Sequence, residues 1–286
     1  MRNRRGFALL TALWLIVAAA GVVGVALANA RVEQQAALNR LLLARAAWSR
    51  DACVAVLQDQ FDFTNPLRDV DSIDLGRGSW CRAEVEDPSV RLDINHADAA
   101  ELTKVLGSDS LADAIVDWRD ADDEARPLGA EAAFYRAAKR AAPANATFGS
   151  LQELAMVRGF EGRSIDSLAA WLTVSGHGVV NVSQADPRVV MSLPGFVPSD
   201  ARAIEAARSM GWTPRSLDDV LERLGGARRQ ELQPWIAELQ TRMSFRTEEV
   251  LAHVVGGVAG SAVRSHATLR AVPLSERLAI VRQVAW

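Results

Sequence analysis

The chain has 286 residues, 49% hydrophobic and 23% charged, enough to bury a core and too apolar for a disordered polymer. The formal net charge is −3, with +3 in the first thirty residues (Arg2, Arg4, Arg5) and therefore −6 over residues 31–286. A mildly acidic body is a poor polyanion binder, so nucleic acid is not expected as a partner. Two cysteines, Cys53 and Cys81, are too few for a thiolate zinc site. They suit one disulfide in an oxidising compartment, or two unrelated buried thiols.

Residues Phe7–Ala30 form an uncharged, almost wholly apolar run behind the arginines. As a helix it is ~36 Å long, enough to cross a ~30 Å hydrocarbon core, and the basic flank predicts a cytoplasmic N-terminal end and an exported body. Ala28-Asn29-Ala30 has the small-x-small pattern of a signal peptidase site, but the run is longer than the ~7–15 residues of a signal core. From Arg31 to Val56 no glycine or proline intervenes, while Val32, Leu38, Leu42, Trp48 and Val56 recur among alanines and polar residues. This predicts one helix that leaves the membrane and continues as an amphipathic stem.

Asp59–Gly78 is polar and broken by Asn65-Pro66 and Gly76, which predicts a loop. Ser79–Glu86 alternates with period two, placing Cys81, Ala83 and Val85 on one face of a half-buried strand that ends at Asp87-Pro88. From Asp93 to about Leu239 the pattern is helical, and from Met243 to Trp286 valine-rich alternation returns. Gly256, Gly257 and Gly260 are expected to shape a strand edge or loop. A β layer is thus split by a long helical insertion. Leu92–Asp98 matches Val180–Asp186 at an offset of 88, with a weaker third copy at Ser150–Gly159. Asp98 and Asp186 are natural N-caps, and each copy ends near a glycine (Gly107, Gly195, Gly159).

Arg4-Arg5-Gly6-Phe7 ahead of an apolar helix resembles the leader site of type IV prepilins and pseudopilins. The resemblance implies cleavage after Gly6 by a prepilin peptidase and N-methylation of Phe7. Thr11 stands where most pilins carry a glutamate, and among pseudopilins that absence marks the K protein, which sits at the filament tip. Leu111–Glu124, then Gly129-Ala130-Glu131 and Phe134-Tyr135, resembles that family's acidic signature. The chain thus resembles, over nearly its whole length, type II secretion minor pseudopilins of the general secretion pathway protein K family.

The fold this implies is α+β and pilin-like: a long membrane helix packed on a small antiparallel sheet, with a large all-α insertion of helix-hairpin-helix-like repeats. Its parts are a leader (1–6), a transmembrane and stem helix (7–58), two β portions (59–92 and 241–286) and the insertion (93–240). The resemblance further implies a single-pass protein of the inner membrane of a Gram-negative bacterium, with its body in the periplasm. The partners implied are the other minor pseudopilins, GspI and GspJ, and the major pseudopilin filament. No enzymatic activity is expected.

Leu111, Ile115 and Trp118 make one helical stripe, and Asp113, Asp117 and Asp120 another facing away, of which Asp113 and Asp117 are expected to be a solvated face. Asp120, Asp122, Glu124 and Glu131 have the spacing of ligands 1, 3, 5 and 12 of an EF-hand calcium loop. Ala125 occupies the position that needs glycine, so a differently wrapped calcium loop is expected, with Asp117 and Asp123 as second-choice ligands. Structural calcium is also what the resemblance implies. Cys53 on the stem and Cys81 on the first strand are expected to bridge. His96, His177, His253 and His266 show no metal-ligand spacing, and no nucleophile elbow or phosphate loop occurs. Asn181–Ala185 followed by Leu193-Pro194-Gly195 also looks like a helix-hairpin-helix binder of DNA backbones, although Val197 replaces that motif's second glycine. A membrane-tethered binding module is therefore the rival reading, and an exported hydrolase using the acidic loop a third.

Overall fold

The computed structural model describes residues 4–60, 69–274 and 277–286. Helix α1, Arg4–Gln60, runs unbroken for 57 residues, ~85 Å at 1.5 Å per residue. Alanine, leucine and arginine favour the helix, and in hydrocarbon an unbroken helix satisfies every internal backbone group. Gly6 and Phe7 lie in its first turns, but their side chains fall outside the described residues.

Strands β1 (Val70–Gly76), β2 (Ser79–Glu86), β3 (Val250–Val258), β4 (Arg264–Leu274) and β5 (Arg277–Ala285) form an antiparallel sheet in that order. Of the loop expected over 59–78, residues 61–68 lie outside the described residues, and β1 corrects the expectation over Val70–Gly76. Its ladder shifts register between Val70 and Ile73, and this irregularity hides the period-two pattern. The β1–β2 hairpin turns through Arg77 (φ 52°) and Gly78 (φ 75°), the paired positive values of a type I′ turn.

The C-terminal half of α1 lies on this sheet. Cys53, Val54 and Leu57 pack with Cys81, Ala83, Ala252, Val254, Ala267 and Leu269. Gly256 and Gly257 are not at an edge: both sit in β3, the middle strand. A Cβ at Gly256 would collide with the α1 backbone at Ala46 and Arg50, so glycine sets how closely the helix approaches the sheet.

Between β2 and β3 the chain builds an insertion with its own core, from Leu92 to Met243. Its first module contains α2 (Ala99–Leu106), α3 (Asp109–Arg119) and α4 (Ala132–Ala137). The second contains α5 (Pro187–Ser192), α6 (Pro198–Ser209), α7 (Leu217–Leu224), α8 (Gly226–Leu232) and α9 (Ile236–Arg242).

The sequence repeat has matching bonds. Leu92-Asp93 pairs in parallel with Leu172-Thr173, and Val180-Asn181 with Met243-Ser244. The Ala97 N–H donates to the Asp93 carbonyl at 2.9 Å, and the Ala185 N–H to that of Asn181 at 2.8 Å. Arg119 donates to the carbonyls of Ile94 and Ala97, and Arg208 to those of Val182 and Ala185. Asp98 and Asp186 cap α2 and α5. The third copy instead forms a 3-10 turn, Leu151–Met156, held by the Ser150–Glu153 capping box.

Candidate functional site

Two regions carry the sequence-derived site residues: the long helix with its stem, and the acidic loop of the first module. In α1, an apolar window of mean hydropathy 2.4 has none of its residues buried. Leu9, Leu13, Trp14, Ile16, Val22 and Leu27 all stand exposed. A soluble helix with this sequence would hide one face, so the exposed stretch has the character of a membrane or helix–helix surface. The exposure continues along the stem. Trp48 is 81% exposed, beside an apolar groove lined by Leu41, Ala44, Ala52 and the hairpin residues Leu75–Arg77. Lower down, Cys53 and Cys81 are fully buried and joined as a disulfide, Cα atoms 5.8 Å apart, tying stem to β2.

The acidic loop is built around buried carboxylates. Asp113 and Asp117 do not form a solvated face, because the loop folds back over α3. Asp113 accepts from Arg126 Nε at 3.0 Å and from the Leu128 N–H at 3.2 Å. Asp117, 0% exposed, accepts from the Arg126 N–H at 3.2–3.3 Å. Gly129 passes so close to Asp117 that a Cβ would strike its carboxylate. Trp118 and Tyr135 pack edge-on, 5.4 Å between ring centres, beneath the loop. Asn145 donates to the Asp122 carbonyl at 3.2 Å and so holds the loop's far side.

Glu131 is 4% exposed, and neither carboxylate oxygen has a hydrogen-bond partner; one buried oxygen of Asp120 is likewise unpaired. Burial, reinforced by Asp117, Asp120 and Asp123, pushes the Glu131 carboxyl up to about 7. Burial first, then neighbouring acids, also raises Asp120 and Asp117 above the usual carboxylate range. Asp122 and Glu124 lie exposed, and the Glu124 N–H donates to Asp122 Oδ1 at 2.9 Å. Among the described residues, no group of three or more His, Cys, Asp or Glu stands assembled as a metal cage. The structure thus gathers Asp117, Asp120 and Glu131 by burial, with Asp122 and Asp123 acting on them from the exposed side and Glu124 outside. Asp113 was missed as a loop anchor; its only sequence signal was its place one turn before Asp117.

The hairpin at Leu193-Pro194-Gly195 is already engaged within the chain. Trp235 fills the space a Cβ on Gly195 would need. Arg228 donates to the Gly195 carbonyl and pairs with Asp200. Lys104 Nζ donates to the carbonyls of Leu193 and Phe196 at 2.8 and 3.2 Å.

A long exposed helix laid on an antiparallel sheet, with a helical domain spliced between two sheet strands, defines a pilin-like subunit with an insertion. Residues 93–177 match the family model described as type II secretion system (T2SS), protein K. The whole chain is similar in fold to a chain of the crystal structure of the GspK-GspI-GspJ complex from the enterotoxigenic Escherichia coli type 2 secretion system. That likeness has 13% identity and a TM-score of 0.57, and covers 90% of this chain and 98% of the other. No curated protein matches the sequence significantly. Within the insertion, residues 93–177 are thus similar to type II secretion protein K, and the chain shares the fold of the solved structure.

Proposed function

We propose that this chain is a structural assembly subunit at the tip of a type II secretion pseudopilus, anchored in the inner membrane with its body in the periplasm, and that it has no catalytic role. The observation that carries this reading is α1: an apolar surface wholly exposed in the isolated chain and continuous with a stem fixed to the sheet. Such a helix needs lipid or sister helices to cover it. The insertion, with its separate core, is too bulky to repeat along a packed filament, which favours one copy at an end. The partners are the equivalents of GspI and GspJ, which accompany GspK in the solved complex, and beneath them the major pseudopilin. The rival reading, a nucleic-acid-binding module, is disfavoured by the hairpin whose glycine is covered by Trp235.

Calcium belongs to the same reading. The buried, unpaired oxygens of Glu131 and Asp120 fit a hard divalent ion, which takes six to eight oxygen ligands and accepts backbone carbonyls and water beside carboxylates. Glu131 and Asp120 would hold it, with backbone carbonyls and water completing the shell. Its part is structural: it neutralises acids that otherwise repel one another in a buried loop. The decisive experiment on the assembly reading is mass spectrometry of the protein matured in cells that make a type II system. An N-methylated phenylalanine from Phe7 is expected; an N-terminus at Met1 or Arg31 overturns the reading.

A further inference from the structure

The face of the sheet turned away from α1 carries a cluster that this function does not use. The α1 side is lined by Ala252 and Val254 of β3 and by Ala267 and Leu269 of β4, so His253 and His266 project from the opposite face. The register pairs His253 with Thr268 and Val255 with His266, which makes the two imidazoles diagonal neighbours on adjacent strands. Both are half-buried. His266 Nδ1 lies 3.3 Å from His253 Nε2, with the rings 5.4 Å apart and 16° from parallel. Trp286 stacks 5.9 Å from each ring, and its backbone exchanges two hydrogen bonds with His266, at 2.9 and 3.0 Å.

The 3.3 Å separation is long for a hydrogen bond between the two rings, beyond the ~3.0 Å typical of N–H donors. It matches another chemistry. Two imidazole nitrogens, each ~2.0–2.1 Å from one tetrahedral ion, stand roughly 3.3–3.4 Å apart. Imidazole is the ligand that zinc, copper and nickel share. We propose that His253 and His266 form a two-imidazole site for a divalent transition ion of this class. No third His, Cys, Asp or Glu is assembled with them among the described residues, so water completes the shell. Glu84, the register partner of His253 on β2, is the acid placed to bond such a water. The ion would cross-link β3 to β4 and, through Trp286, fasten the strand that closes the sheet.

The test uses the full chain in detergent micelles, with Zn²⁺ and then Cu²⁺ as probes. One Zn²⁺ per chain should bind saturably, and His253→Ala and His266→Ala should each weaken it at least tenfold. Saturating Ca²⁺ should leave this binding unchanged, which separates the site from the acidic loop. Cu²⁺ on the unaltered chain should give an electron paramagnetic resonance spectrum with two imidazole nitrogens, a readout independent of how well the histidine variants fold. No saturable binding, binding indifferent to both histidines, or a spectrum with fewer than two imidazole nitrogens overturns the proposal and leaves the pair sharing a proton only.

Discussion

At the scale of single residues, the acidic loop is governed by burial more than by charge count. Residues 111–131 carry many carboxylates, and burial raises Asp117, Asp120 and Glu131 among them, Glu131 to about 7. The sign of the linkage follows from the raised value. The folded state holds the Glu131 proton more tightly than the unfolded chain, so this group's stabilisation is fully present below pH 4.5, the ordinary value of the carboxyl, and is lost as pH rises through about 7. A shift of this size corresponds to a few kcal/mol at most. Calcium-free protein should therefore melt progressively lower between pH 5 and 7.5, and saturating Ca²⁺ should remove much of that slope. Glu131→Gln should flatten the slope without calcium and also abolish the calcium-dependent rise in Tm. Thermal melts at several pH values, with calcium and with chelator, check both. A slope and a calcium response that survive the substitution would return the loop to a solvated acidic turn.

At the scale of elements, the contact that matters most is α1 on the sheet. It rests on small residues: Ala46 and Gly256 let the two backbones close, and Ala83, Ala252 and Ala267 keep the shared surface shallow. Shallow packing buries little area per residue, which gives the Cys53–Cys81 bridge its role. It closes a 28-residue separation and should contribute ~3–4 kcal/mol by restricting the unfolded chain. Non-reducing mass spectrometry of protein from the periplasm should find no free thiol on either cysteine. Cys53→Ser with Cys81→Ser should lower the free energy of unfolding by that amount while leaving the insertion, which has its own core, intact to limited proteolysis. Free thiols in the unaltered protein would count against the bridge.

At the scale of the whole molecule, the two larger cores among the described residues differ in kind: a helix-on-sheet core around the stem and a separate core for the insertion. Their join includes Glu249, just before β3, which pairs with His177 of the insertion at 2.9 Å and with Arg270 of β4. A subunit of this shape should add itself to a bundle of sister helices once. Overproduced alone, it should form no long filaments. With the equivalents of GspI and GspJ, its detergent-solubilised form should co-purify in equal proportion, as size-exclusion chromatography with light scattering would show. Homopolymeric filaments by electron microscopy would contradict a tip position.

The sequence by itself determined the features that depend on local composition and on periodicity along the chain. The long apolar helix was legible because its run of apolar residues is uninterrupted. The repeat was legible because Asp93 and Asn181 each seed the same turn, and the disruption of the β layer because periods of two and 3.6 differ within a few residues. Tertiary structure alone decided what depends on how distant segments meet. The first strand was hidden by a register shift between Val70 and Ile73. Asp117 and Glu131 became buried partners, and Asp122 and Glu124 did not, because Gly129 lets the loop close over α3 onto Trp118 and Tyr135. His253 and His266, thirteen residues apart, show no ligand spacing in the sequence. They face each other because strand register fixes proximity across a sheet, and register is set by which face of each strand must be buried.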